Sequence, residues 1–217
     1  MNLKELILNP NDFFKYLLNK EVSLKTPFLI VLIFSVLMSA YSYYTTSIMF
    51  KIFPSDMQGM MSMMIIITAV SSLVGGFISW LLIAAVMHII SMAFKGVGSF
   101  KRTFEFTGYG FIANLIALCI TIPIGYYFLS SAHITTLTVA QLQNPAVVKQ
   151  VMSSILPKTM IYTNLLVGIA VSLWNLSLWT YGIKYARNLE LKKAFIVALI
   201  PTVLFGAYQL YSVAKFL

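Results

Sequence analysis

From Met57 to Phe94 the chain carries no Asp, Glu, Lys or Arg. A helix needs about 20 apolar residues to cross a hydrocarbon core about 30 Å thick, so this run predicts a membrane span with residues to spare. Met57 to Met64 is read as lying at the membrane surface, and the span as running from about residue 65 to 94, tilted or bent to fit. Ser71, Gly75 and Ser79 recur every fourth position. That spacing lines one helical face with groups small enough to admit a neighbouring backbone, and predicts a helix–helix contact there. Lys95-Gly-Val-Gly-Ser-Phe-Lys-Arg-Thr103 then forms a short basic turn, with Gly96, Gly98, Lys101 and Arg102, before the next apolar run.

Further runs of this kind predict five transmembrane helices, at about residues 26–50, 65–94, 104–129, 158–183 and 194–214. The expected fold is all-α, a polytopic membrane bundle. Residues 1–25 form a separate cytoplasmic segment, and residues 26–217 the membrane domain. With 59% hydrophobic and 10% charged residues, an ordinary soluble domain is excluded. The net charge of +9 does not point to nucleic acid, because the cations sit in short loops beside apolar spans. Lys and Arg number eleven in the N-terminal segment and the turns after the second and fourth spans, against four in the other connections and the C-terminus. The excess predicts a multi-pass protein of the cell membrane with its N-terminus in the cytoplasm and its C-terminus outside.

Two short amphipathic helices are expected beside the spans. Asn11 or Asp12 can cap a helix that places Phe13, Phe14, Leu17 and Leu18 on one side, with Lys15 and Lys20 elsewhere. Too short to span, it is expected to lie on the headgroups: Phe13, Phe14, Leu17, Lys15 and Lys20 are the predicted membrane-surface contacts, with anionic lipid as partner. Between spans 3 and 4, Asn144-Pro145 starts a second such helix, whose apolar positions are Val147, Val148, Val151, Ile155 and Leu156.

The spans hold little that can do chemistry. His88 and His133 fall on opposite sides of the midplane, and no paired carboxylates, metal-ligand spacing or nucleotide-binding loop appears. No enzyme activity and no cofactor are expected. The polar residues within the spans are His88, Asn114, Asn164, Asn175 and Gln209. Such residues commonly join helices by hydrogen bonds, and His88 is expected to bond to a neighbouring helix. Alternatively, His88, Asn114, Asn164 and Asn175 line a polar path of a small transporter or channel.

One combination of motifs resembles a known family. Asn-Pro-x-x-Phe-Phe stands near the start, Gly-x-Gly-Ser-Phe-Lys in the first basic turn and Gly108-Tyr109 at the opening of span 3. Trp174, Leu178-Trp179 and Gly182 precede the second basic turn, which ends in Lys193-Ala194. Together these resemble the Yip family (the Ypt/Rab-interacting proteins) in its short prokaryotic form. The resemblance implies five membrane helices and a non-enzymatic role as membrane organiser or scaffold, in eukaryotic members a role in vesicle trafficking. Lipid and either a membrane-protein partner or a second copy of the chain are the expected partners. Ala113 stands where the family's Gly-Tyr-x-x-x-Pro motif has Pro, and the Asp-Leu-Tyr-Gly-Pro motif of the eukaryotic N-terminal region is not found. GTPase binding is therefore not carried over.

Overall fold

Within hydrocarbon a chain must satisfy its own backbone N–H and C=O groups, and a helix does so inside a single segment. The computed structural model, which describes residues 3–216, follows that rule and contains no strand among the described residues. Two short helices, α1 (Leu3–Leu8) and α2 (Pro10–Leu18), precede the first span. The spans are α3 (Lys25–Met49), α4 (Gln58–Ala93), α5 (Phe100–Ser130), α8 (Lys158–Ala186) and α9 (Leu191–Phe216). Between α5 and α8 lie a single turn, α6 (Val139–Leu142), and the helix α7 (Pro145–Ile155). Among the described residues five helices are long and apolar enough to cross a membrane, so the chain is a multi-pass membrane protein.

Span 2 differs from its expected form. The helix begins at Gln58 and continues through Met64 without a break, giving 36 residues and a length of about 54 Å. Its Met-rich first turns hold unbranched side chains that suit a helix, and no Pro interrupts them. Span 3 runs through Pro123 as one helix. The cap of α2 is Asn9, neither Asn11 nor Asp12: its Oδ1 accepts from the Asp12 N–H, and Pro10 takes the first helical position, where no donor is missed.

The central span is α5, packed between α3 and α8 and touching α4; α9 closes the bundle against α8 and part of α4. Two packed clusters occupy its ends. The larger, at the end carrying the basic turns, includes Phe14, Trp80, Phe106, Tyr109, Leu178 and Trp179. At the opposite end Ile52, Leu129, Ile155 and Met160 form the smaller one. There α7 contributes Ile155, and the 131–138 strap is tied down where Leu137 N–H donates to Ile52 C=O at 2.7 Å.

The α3–α4 seam corrects the expected small-residue face by one position. Ser39 Oγ donates to Ala69 C=O at 2.8 Å and Ser72 Oγ to Ser42 Oγ at 3.0 Å. Gly76 is buried, and a Cβ there would run into Ser35. Beside it, Gly75 faces open space, Ser71 is exposed and Ser79 lines a cavity described below. Residues 71, 75 and 79 and residues 72, 76 and 80 make adjacent stripes about 100° apart on the helix, and only the packing partner selects between them.

Candidate functional site

At the basic end the geometry follows from three consecutive residues of α5. Successive helical residues point about 100° apart, so Gly108, Tyr109 and Gly110 address three different neighbours. A Cβ on Gly108 would strike the Trp80 ring and Pro27, and one on Gly110 would strike the Trp179 indole. The absent side chains let both indoles reach the α5 backbone. Trp80 Nε1 donates to Phe104 C=O at 2.8 Å, and Trp179 Nε1 to Thr107 C=O at 3.2 Å. Tyr109, between the two glycines, meets Phe13 edge-on at 5.2 Å between centroids.

That contact overturns the lipid-facing role expected of α2. Phe13 is 4% exposed and Phe14 fully buried, with Phe14 stacked obliquely on Phe106 at 5.0 Å and its ring tip beside Gly182. Leu17 packs half-buried against the same cluster. A matching aromatic socket on α5 and α8 takes the ring face of α2 out of lipid, because close-packed ring contacts add to the burial of apolar area. Lys15 and Lys20 do stay exposed, Lys20 lying over the Tyr16 ring.

Polar groups then lock α2 in place. Arg102 Nη1 donates to Leu17 C=O at 3.3 Å and its Nη2 to Lys20 C=O, satisfying the open C-terminal end of the helix. Glu105 pairs with Arg102 at 2.7 Å and accepts the Ser23 N–H at 3.0 Å. At the other end Asn11 Oδ1 accepts from Lys184 Nζ at 3.1 Å and Tyr185 Oη at 2.8 Å.

The two basic turns are clamped by Arg187, which is 3% exposed. Its Nε donates to Ser91 Oγ at 2.8 Å, its Nη2 to Gly96 C=O at 2.6 Å and its Nη1 to Gly98 C=O, while its own carbonyl accepts from Val97 N–H. Burial lowers its pKa, and the ring of oxygens offsets that desolvation. Gly98, at φ +140°, lies directly on Ala186 C=O, a position closed to any side chain. Lys101 remains exposed beside this turn. The charge count treats Arg102 and Arg187 as topology signals and misses their structural work; no local motif distinguishes them from the other cations.

A different arrangement lies between the two packed clusters. Asn114 on α5 and Asn175 on α8 are joined by a hydrogen bond of 3.1 Å. With Asn164, Thr121 and Gln209 they line a cavity of about 390 Å³ bounded by α3, α4, α5, α8 and α9. Asn164 Oδ1 and Asn175 Oδ1 are buried there without a hydrogen-bond partner. His88 is not among the lining residues. Its Nδ1 lies 3.0 Å from Thr103 Oγ1 on α5, beside the edge of Phe100. The structure thus brings Asn114, Asn164 and Asn175 together, gives His88 the expected bond to a neighbouring helix and removes it from the alternative polar path, because His88 sits near the turn and faces the start of α5.

Comparisons with known proteins agree with this architecture. The family model described as Yip1 domain matches residues 4–213. Over 127 residues the chain is 55% identical to an uncharacterized protein of Methanocaldococcus jannaschii, covering 58% of this chain and 90% of that protein. No solved structure matches.

Proposed function

Because the chain belongs to the Yip1-domain family, we propose that it is a non-enzymatic membrane organiser or scaffold acting through lipid and protein contacts. The observation that carries this reading is the form of the basic end. Lys4, Lys15, Lys20, Lys25, Lys101 and Lys192 are exposed there. They surround a tightly packed aromatic core held by Arg102 and Arg187. A rigid base ringed with mobile cations suits an anionic lipid surface, where each lysine contributes about 1 kcal/mol. The lipid contact is thus assigned to the lysines in place of the aromatic rings.

On the positive-inside rule this end faces the cytoplasm of the cell membrane, with the N-terminus inside and the C-terminus outside. The outer face of α4, with Ile66, Val70, Val74 and Ile78 exposed, is available to acyl chains, to a membrane-protein partner or to a second copy. Crosslinking in native membranes followed by capture tests the reading. Enrichment of anionic lipid with a defined protein partner or second copy is expected; recovery as an isolated monomer with no lipid enrichment would overturn it. For orientation, with Cys119 replaced, an impermeant thiol reagent should modify a cysteine at 149 in intact cells and spare those at 101 and 193.

The second reading, a small transporter or channel, draws on the amide-lined cavity. Displacement of His88 from that cavity, and the packed cluster between it and the basic end, count against a continuous path. Uptake of a polar solute into reconstituted vesicles, lost on Asn114→Leu, would favour it over the scaffold.

A further inference from the structure

We propose that the cavity between α5, α8 and α9 is a binding site for a neutral, hydroxyl-headed lipid that enters sideways from the bilayer. Two of its lining residues, Asn164 and Asn175, each carry a buried amide Oδ1 that accepts nothing. Asn175 is 5% exposed, and its Nδ2 donates to Asn114 Oδ1. Leaving such an acceptor unpaired is unfavourable, so the site is built for a donor.

The rest of the lining sets the kind of donor. Among the described residues no Asp, Glu, Lys, Arg or His borders the cavity, so a charged headgroup would be buried without a counter-charge. Most of the wall is apolar, including Phe34, Phe111 and Val171. At about 390 Å³ the cavity falls within the range of about 300–1,000 Å³ usual for small-molecule sites.

The surface next to the cavity is also apolar. A groove between α4 and α9, lined by Leu82, Val86, Pro201 and Leu204, shares Ile83, Phe205 and Tyr208 with the cavity. Leu82, Leu204, Phe205 and Tyr208 are exposed on the surface of the bundle. A head in the amide cavity and a tail along this groove satisfy both halves at once. Water pairs the same amides but leaves the groove to ordinary acyl chains, and this separates the two occupants experimentally. The inference goes beyond the scaffold reading, since it requires neither a protein partner nor a given orientation.

The test uses the full-length protein in phosphatidylcholine nanodiscs with hexadecanol carrying a diazirine in its tail. After illumination, peptide mass spectrometry should place the label on the α4–α9 groove, at Ile83, Phe205 or Tyr208. Unlabelled hexadecanol should compete about tenfold better than its methyl ether, which accepts but cannot donate, a ratio of the size expected for one hydrogen bond. Hexadecanoate should compete no better than the ether. Asn175→Leu should abolish this preference for the alcohol. Because Asn175 also bonds Asn114, Asn164→Leu, at a half-buried position, serves as a second variant and should reduce the preference with an unchanged melting temperature. Equal competition by alcohol and ether, or a preference that survives in both folded variants, would reduce the site to an annular groove. Absence of groove labelling would assign the cavity to water. Either result overturns the proposal, while the lipid-enrichment and partner-capture results for the scaffold stand or fall separately.

Discussion

The α3–α4 seam makes a sharp comparison between adjacent glycines. Replacing Gly76 by Ala would set a Cβ 3.0 Å from Ser35 Cβ and 3.5 Å from its Cα, with the Ser35 hydroxyl closer still. The hydroxyl can rotate; the Cβ moves only with the α3 backbone. Overpacking of this kind costs about 1–3 kcal/mol. Gly75→Ala meets nothing within 4 Å and removes a poor helix former, so it should be neutral or stabilise by up to about 1 kcal/mol. Ser35 Oγ is buried without a partner, so Ser35→Ala alone should be nearly neutral or slightly stabilising. Combined with Gly76→Ala, it should recover part of the loss, a coupling of at least about 0.5 kcal/mol between touching residues. Reversible unfolding in mixed micelles, followed by circular dichroism as the denaturing detergent fraction rises, gives all four free energies. Equal losses at positions 75 and 76, or strict additivity of Ser35→Ala with Gly76→Ala, would refute the assignment of the seam.

Other expectations use the same unfolding assay unless stated. Phe14→Ala should destabilise by about 3–5 kcal/mol, because a fully buried ring leaves a cavity against Phe106 and Tyr109; a loss under 1 would mean that α2 leaves its socket readily. Arg187→Lys keeps the charge but cannot reach Ser91, Gly96 and Gly98 together, and should cost about 2–3 kcal/mol. Lys95 sits at φ +59°, so Lys95→Gly should gain up to about 1 kcal/mol by removing the Cβ from a left-handed conformation. Glu105→Gln weakens the anchors on Arg102 and Ser23, and limited proteolysis should then cut the 19–24 link at least several-fold faster.

The membrane architecture was legible in the sequence because it depends on quantities that add along the chain. Hydrocarbon excludes charge, so the uncharged runs mark the spans whatever packs on them, as at residues 57–94. Turn chemistry was equally local: Gly96 and Gly98 with flanking cations mark the α4–α5 turn, and Asn144-Pro145 opens α7. The family resemblance was carried by motifs of the same local kind, Gly108-Tyr109 among them, and the match over residues 4–213 agrees with it. What only the tertiary structure decided was which side of each helix meets protein. Both lipid and protein interior are apolar, so a ring face such as Phe13 and Phe14 carries no mark of its destination until the socket at Tyr109 and Gly182 is in place. The same degeneracy let residues 71, 75 and 79 stand in for 72, 76 and 80. It also grouped His88 with three asparagines that it does not meet. Arg102 and Arg187 show the remaining gap: a cation reads as topology in one dimension, and becomes a clamp only when open helix ends and turn carbonyls from distant segments are folded around it.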